Sequence, residues 1–434
     1  MNPIPDMLDN EPDFSPVGTG MACLMILVQT LFLLLLMPLV LVFGLPYLLL
    51  RIVVSRPPNI PSSKTVRRYL TKAVFAHEEV LISMRIRLFL NMLLFLSICP
   101  LFAFAWFLDD ILFYGYRSVS IIKPLFFITG SRSGSTQLSQ YLEENPQIVS
   151  HPFLLQSFPY IWLWKLLPKL LGRWMSEDKV YKIVAGAIRP EFLERKEMHP
   201  FKPETYEVVF SVSQLVNLSF AMGPKMFAEG YGWGRPTPEN IHFWQEDLVE
   251  NIEAVGKKLL YFSGPNADGS SKTLLIKGHF LGSASVLEKR FPDAHFLTVL
   301  RHPAKRIRSI INFFRVAPEV CSNGAIPWSW LVHYGKTVEV EYCLYEKEWY
   351  EAHPDNSTVI RFRDYVADLE QTLKTIYERC LPHVDSEGFI HQTHVQRKRT
   401  EYSVDRSYEQ LHMDEKVLLE PLKDYISWVE QTDS

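Results

Sequence analysis

From Met21 to Leu50 the chain carries no charged side chain, and only Gln29 and Thr30 interrupt an otherwise apolar run. Such a stretch exceeds the ~20 apolar residues that cross a bilayer, so it is predicted to span a membrane and to stay out of any globular core. A second uncharged stretch, Leu88 to Phe107, has Asn91, Ser97 and Pro100 as its interruptions and is also long enough to cross. Aromatic-rich segments of this kind also lie in the interface or pack on a domain. Residues 1–20 hold Asp6, Asp9, Glu11 and Asp13 and no Lys or Arg, which is the wrong charge for a cleaved signal peptide and predicts an anchor.

Between the two stretches, residues 51–87 carry Arg51, Arg56, Lys64, Arg67, Arg68, Lys72, Arg85 and Arg87 against Glu78 and Glu79. Positive loops stay cytosolic. If both stretches cross, the acidic tail and everything after residue 110 share the lumen of the secretory pathway. If only the first crosses, the large domain follows the basic flank to the cytosol. The charge asymmetry favours the two-span hairpin and a Golgi-type lumenal domain. Two sequons, Asn217-Leu218-Ser219 and Asn356-Ser357-Thr358, agree with a lumenal glycoprotein but occur at close to chance frequency. The expected organisation is an acidic tail at 1–20, a membrane anchor at 21–115 and a catalytic domain at 116–434.

With the −4 of residues 1–20 and the +6 of residues 51–87 set aside, the formal −3 of the chain leaves −5 for residues 88–434. A nucleic-acid binder is expected to show a basic domain instead. The same balance argues against a highly anionic polymer as substrate. Of the five Cys, Cys321, Cys343 and Cys380 lie outside the apolar stretches, without a CxxC or a zinc-type His/Cys grouping. One disulfide is conceivable and no metal site is indicated.

Short apolar runs at Leu125–Thr129, Thr273–Ile276, His295–Leu300 and Thr358–Phe362 are each followed by a helical pattern, which predicts an α/β fold with a parallel sheet flanked by helices. Helices are expected after Gly134 up to Pro146, from Pro303 to about Arg315, and from Trp330 to Ala352. Residues 155–270, rich in Trp, Pro and Leu, read as a mostly helical insert. Arg306 and Arg308 read as surface charges of a helix.

The first strand runs into "TGSRSGST" (residues 129–136), a Gly/Ser turn that aims backbone N–H groups and a helix N-terminus at one point. A Walker loop needs a Lys after its last Gly, but Gly134 is followed by Ser135 and Thr136, and Arg132 supplies the charge instead. Farther on, Lys277-Gly278-His279 closes one strand, Arg301-His302-Pro303 closes the next, and Ser309 follows Arg301 by eight residues. In this order the three motifs resemble the sulfotransferases that use 3′-phosphoadenosine 5′-phosphosulfate (PAPS), over roughly residues 123–430. "FPDA" at 291–294 and "VIRFRDYVADLEQTLKTIYERCL" at 359–381 resemble the branch of that family with carbohydrate and small-molecule enzymes.

The resemblance implies a P-loop-like fold in which Ser131, Arg132, Ser133, Gly134, Ser135 and Thr136 hold the 5′-phosphosulfate and Arg301 and Ser309 hold the 3′-phosphate. It further implies that Arg132 stabilises charge on the leaving phosphate, that His279 is the base and that Lys277 stands on the substrate side. Other branches take their base from a Glu. The basic run Gln396–Thr400, with Arg397, matches a loop that closes over the 3′-phosphate in related enzymes, and equally suits a solvated turn. A P-loop kinase or NTPase lacks support, because its Lys and its Walker-B Asp are both absent: the strand at 295–300 ends in Arg301. A non-catalytic anchored protein of the same fold is the remaining alternative. Nothing in the insert identifies the acceptor, although its Trp- and Leu-rich composition suits a lipid-linked or glycan hydroxyl better than a soluble polyanion.

Overall fold

The computed structural model describes residues 57–75, 82–172, 201–213, 245–321, 328–390 and 406–431, together with isolated positions between 23 and 46 and residue 179. Most of the first apolar stretch therefore lies outside the described residues, as do Asn217 and the basic run with Arg397.

The chain enters with α1 (Ser63–Tyr69), started by Ser62, whose Oγ accepts the Thr65 N–H, and continued by a π-helical turn, Leu70–Val74. The 31-residue α2 (Ile82–Leu112) follows. A five-stranded sheet comes next, in the order β2-β3-β1-β4-β5. Its strands are β1 (Leu125–Ile128), β2 (Ile148–Val149), β3 (Thr273–Gly278), β4 (His295–Leu300) and β5 (Ser357–Arg361), and every pairing is parallel. Helix α3 (Ser135–Glu143) links β1 to β2. Among the described residues, four helices lie between β2 and β3: α4 (Phe153–Ser157), α5 (Ile161–Leu171), α6 (Tyr206–Ser213) and α7 (Gln245–Ser263). The rest are α8 (Ala284–Arg290), α9 (Pro303–Cys321), α10 (Trp328–Ala352), α11 (Phe362–Ala367), α12 (Leu369–Cys380), α13 (Glu415–Leu419) and α14 (Lys423–Glu430).

Parallel strands need helical crossovers, and these cover both faces of the sheet, so each strand is buried on both sides. Phe126 and Ile128 of β1 join a core built with α7, α9, α10 and α14, whereas Leu125 and Phe127 join one built with α3 and α12. This alternation is the two-residue period of a strand. Strands β1, β3, β4 and β5 fall where the sequence predicts them. The two-residue β2, too short to leave a periodic signal, was not expected. Cys343 and Cys380 are free thiols in opposite cores, so these two do not form a disulfide.

Helix α2 is tied to the domain by its C-terminal end. Leu88, Met92, Cys99, Ala103, Trp106 and Asp109 recur at helical spacing along its buried side. Asp109 has no exposed surface; its carboxylate accepts the N–H groups of Ile161 (2.8 Å) and Trp162 (3.0 Å) at the start of α5, and the Lys258 ammonium of α7 (2.8 Å). Lys258 also donates to the Pro159 carbonyl at 2.9 Å and lies 3.2 Å from the Trp106 ring centroid. Desolvation draws Lys258 down to about 8, against the pull of Asp109, so its ammonium is still charged at neutral pH.

Asp109→Ala strands the buried ammonium and uncaps α5, a loss on the order of 3–5 kcal/mol. The expected result is a melting temperature lower by roughly 10 °C in detergent, with the double variant Asp109→Leu/Lys258→Met recovering part of it.

Candidate active site

In a doubly wound sheet ligands collect at the C-terminal strand ends where the winding reverses, here beside β1, which has β3 on one side and β4 on the other. The loop after β1 occupies this place. Two of its residues have left-handed backbone, Arg132 at φ 64° and Gly134 at φ 89°. For Gly134 this costs little, and any side chain there would strike the Phe362 ring, 2.6 Å from an added Cβ. For Arg132 the conformation is strained by roughly 1–3 kcal/mol, and its surroundings enforce it.

Arg301, just past β4, donates from Nη1 to the Arg132 carbonyl at 2.6 Å, and the Arg132 Nε–H donates to Ser309 Oγ of α9 at 3.1 Å. The Arg132 guanidinium lies over Phe313 at 5.6 Å and that of Arg301 over Phe362 at 5.0 Å. The two predicted anion sites, the loop and the Arg301/Ser309 pair, are therefore one contiguous cluster.

Ser133 and Ser135 are buried. The Ser133 hydroxyl pairs with Thr129 Oγ1 at 2.8 Å, and Thr129 Oγ1 in turn donates to the Val299 carbonyl at 2.9 Å, so the hydroxyls of 129 and 133 brace the loop against β4. Helix α3 starts at Gly134 with no side-chain cap. Its first-turn N–H groups face the turn as an anion site.

The strand-β3 residues complete the group. Lys277, opposite Phe127 in the sheet, is 1% exposed; its ammonium donates to Thr136 Oγ1 at 2.7 Å and lies 3.6 Å from Glu204 Oε1. Lys277 is therefore no solvated surface charge. His279 donates from Nδ1 to the Thr129 carbonyl at 2.7 Å, a tautomer that makes Nε2 the basic nitrogen.

Sequence reasoning missed three groups. His151, fully buried just after β2, accepts the Lys277 N–H at Nε2 (3.0 Å), and its Nδ1 faces Gln156 Oε1 at 3.3 Å. Burial pushes its pKa down to about 3, with Lys277 adding to the effect, so it is neutral. Glu204, before α6, and Glu207, within it, are buried carboxylates of the insert, Glu204 beside Lys277 and Glu207 beside Gly278. Arg397 lies outside the described residues.

Arg306 is corrected. It has no exposed surface, whereas Arg308 is exposed as expected. Arg306 donates to Glu346 Oε2 (2.9 Å), to the Tyr425 hydroxyl (3.2 Å) and to Cys343 Sγ (2.9 Å). Glu346 Oε1 accepts the Gly130 N–H at 3.2 Å and the Thr298 hydroxyl at 3.0 Å. Desolvation opposes the charge on Arg306, but the thiol, phenol and carboxylates around it keep its pKa raised. Gly130 is pressed onto this guanidinium: an added Cβ would stand 2.2 Å from Nη1.

The sulfotransferase family profile matches residues 124–384. Two crystal structures share the fold. Sulfotransferase STF9 from Mycobacterium avium superposes with a TM-score of 0.59 at 14% identity, covering 86% of this chain and 93% of its own. Sulfotransferase STF1 from Mycobacterium tuberculosis H37Rv gives 0.52 at 13% identity, covering 84% and 93%. No curated protein is matched by sequence. The strand order, the Ser/Gly loop with its Arg and the profile match agree: this chain belongs to the sulfotransferase family, transferases of the sulfonate group.

Two substitutions test the bracing. Gly130→Ala forces a locked guanidinium to move, and the expected outcome is a lower melting temperature. For His151 the folded pKa lies below the unfolded ~6.5, so its contribution to stability is complete above that value and is lost as pH falls toward 3. Urea denaturation at pH 6, 5 and 4 is expected to show wild type losing about 1.4 kcal/mol per pH unit relative to His151→Gln.

Proposed function

We propose that the protein transfers a sulfonate group from PAPS to a hydroxyl, or an amine, of a membrane-associated acceptor such as a glycan or glycolipid. The observation that carries the reading is the junction of Arg132, Arg301 and Ser309 at the ends of β1 and β4 and in α9. A nucleotide with phosphates on both sides of one ribose calls for two anion sites side by side, and the linked guanidiniums with the uncapped α3 terminus suit that demand. The residues present therefore fit the donor.

PAPS supplies the sulfonate and a phosphate leaving group. Arg132, with the first-turn N–H groups of α3, stabilises negative charge at the 5′ end, where it grows in the transition state. Arg301 and the Ser309 hydroxyl hold the 3′-phosphate; Ser309, accepting from Arg132, keeps its own hydrogen to donate. His279 takes the acceptor's proton at Nε2, and the Thr129 carbonyl at Nδ1 stabilises the imidazolium that forms. Lys277 orients Thr136 and adds positive charge beside the loop.

Support for a membrane-borne acceptor comes from α2: its segment Leu88–Leu112 is long and apolar enough to cross a membrane, and it is bolted to the domain through Asp109. Calorimetric titration of the detergent-purified protein with 3′-phosphoadenosine 5′-phosphate is expected to show micromolar binding. Arg301→Ala weakens it by about 10- to 100-fold, the worth of a charge-assisted hydrogen bond, and ATP binds more weakly than the product. His279→Ala keeps that affinity but loses on the order of 10²–10⁴ in kcat. No binding, or ATP bound equally well, refutes the reading.

A further inference from the structure

Helix α2 and the segment before it make contacts that bear on which side of the membrane the domain occupies. Asn59 donates from Nδ2 to the Tyr160 hydroxyl at 3.1 Å, in a buried contact. The Ile161 N–H, one residue on, binds Asp109 at the far end of α2. Ile60 packs on Cys99 and Ala103. Residue 59 therefore stands about level with residues 99–103 of α2, well to the Asp109 side of Leu88.

From there the chain runs back along α2. The Tyr69 hydroxyl donates to the Leu88 carbonyl at 3.0 Å, and Arg85 Nε donates to the Val74 carbonyl at 2.6 Å. Helix α1 thus lies antiparallel beside residues 85–103, with Lys64 and Arg67 exposed and Arg68 half-buried.

A crossing by α2 would put Leu88 and Asp109 on opposite faces of the membrane. Asn59 would then sit near mid-depth, so residues 60–75, with α1, would have to lie inside the bilayer beside α2. They contain no apolar run of spanning length and carry Lys64, Arg67 and Arg68. Cations at that depth are strongly disfavoured. Residues 51–58, with Arg51, Arg56 and two Pro, are likewise too polar and too short to recross between the first apolar stretch and Asn59.

We propose that α2 does not cross the membrane: α1 and α2 form a hairpin seated in the leaflet on the catalytic domain's own side, and the chain crosses once, through its first apolar stretch. The exposed Ile82, Ile86, Phe89, Phe104 and Ile111 of α2 enter the acyl boundary, and Lys64 and Arg67 meet anionic headgroups, the arrangement of an interfacial amphipathic unit. The domain then shares the face of the basic segment, which its charge assigns to the cytosol. The lumenal placement drawn from charge alone depends on α2 crossing. Of its sequons, Asn356 donates to Glu288 Oε1 at 2.7 Å and Ser357 opens β5 as a buried residue, so the folded chain offers a glycosyltransferase no open acceptor there.

The inference does not depend on the donor or the acceptor. The full chain carrying Asp9→Cys, Lys64→Cys or Ser271→Cys is expressed in cytosol-out microsomes and treated with impermeant PEG-maleimide. Band shifts are read against the wild-type chain with its five cysteines. The expected result is that Lys64→Cys and Ser271→Cys both shift in intact vesicles, and Asp9→Cys only after permeabilisation. The proposal is overturned if Lys64→Cys and Ser271→Cys react on opposite faces, if Lys64→Cys stays shielded on both, or if Asp9→Cys reacts on the face of Ser271→Cys.

Discussion

Arg306 and Glu346, a guanidinium and a carboxylate with no exposed surface, hold up the loop on which the site is built. Burying such a pair gains little net stability, because desolvation offsets most of the attraction. What it supplies is geometry. One carboxylate oxygen of Glu346 faces Arg306 and the Tyr425 hydroxyl, and the other takes the Gly130 N–H and the Thr298 hydroxyl. Helices α9, α10 and α14 thereby converge under one peptide group. Removing Arg306 leaves Glu346 and Glu339, two buried carboxylates, without the guanidinium that joins them beneath the loop.

Above that support the loop takes a backbone that Arg132 would not adopt alone. Its carbonyl is held by Arg301 and its guanidinium by Ser309, so strain in one residue is balanced by bonds to two others. The strained residue is also the one whose charge faces the turn, an association of strain with function seen at many sites. Preorganisation of this kind spares the reaction the cost of arranging dipoles as charge develops.

What was legible in the sequence follows from the range of each signal. Strands β1, β3, β4 and β5 are short apolar runs bounded by turns, and the glycines and serines at 130–136 declare a tight turn locally. Arg132 lies in the turn after β1, Lys277 and His279 at the end of β3, Arg301 just past β4 and Ser309 in the second turn of α9, and the fold gathers them. The burial of Arg306 was hidden because its partners, Glu346 and Tyr425, are 40 and 119 residues away. By itself "RHPAKRIRS" reads as a charged helix. His151 and Glu204 were hidden for the same reason: each matters only through Lys277, which β-sheet pairing and α6 bring to them. Hydropathy likewise scored α2 on its composition alone; Asp109 and the basic helix alongside it are facts of packing.

The sheet also divides the chemistry. Arg132, Arg301 and Ser309 come from the ends of β1 and β4 and from α9, elements whose lengths are set by the sheet and its crossovers. Lys277 and His279 come from β3, and Lys277 is braced by His151 and Glu204, residues that follow β2 and belong to or border the insert. Because the insert lies between β2 and β3 in the chain and packs on β3 through α6, a change in its length or composition acts on the Lys277 side first. A fold of this design can hold the loop and its arginines constant while the insert changes, which accounts for a legible Gly/Ser loop beside an insert whose sequence names no substrate.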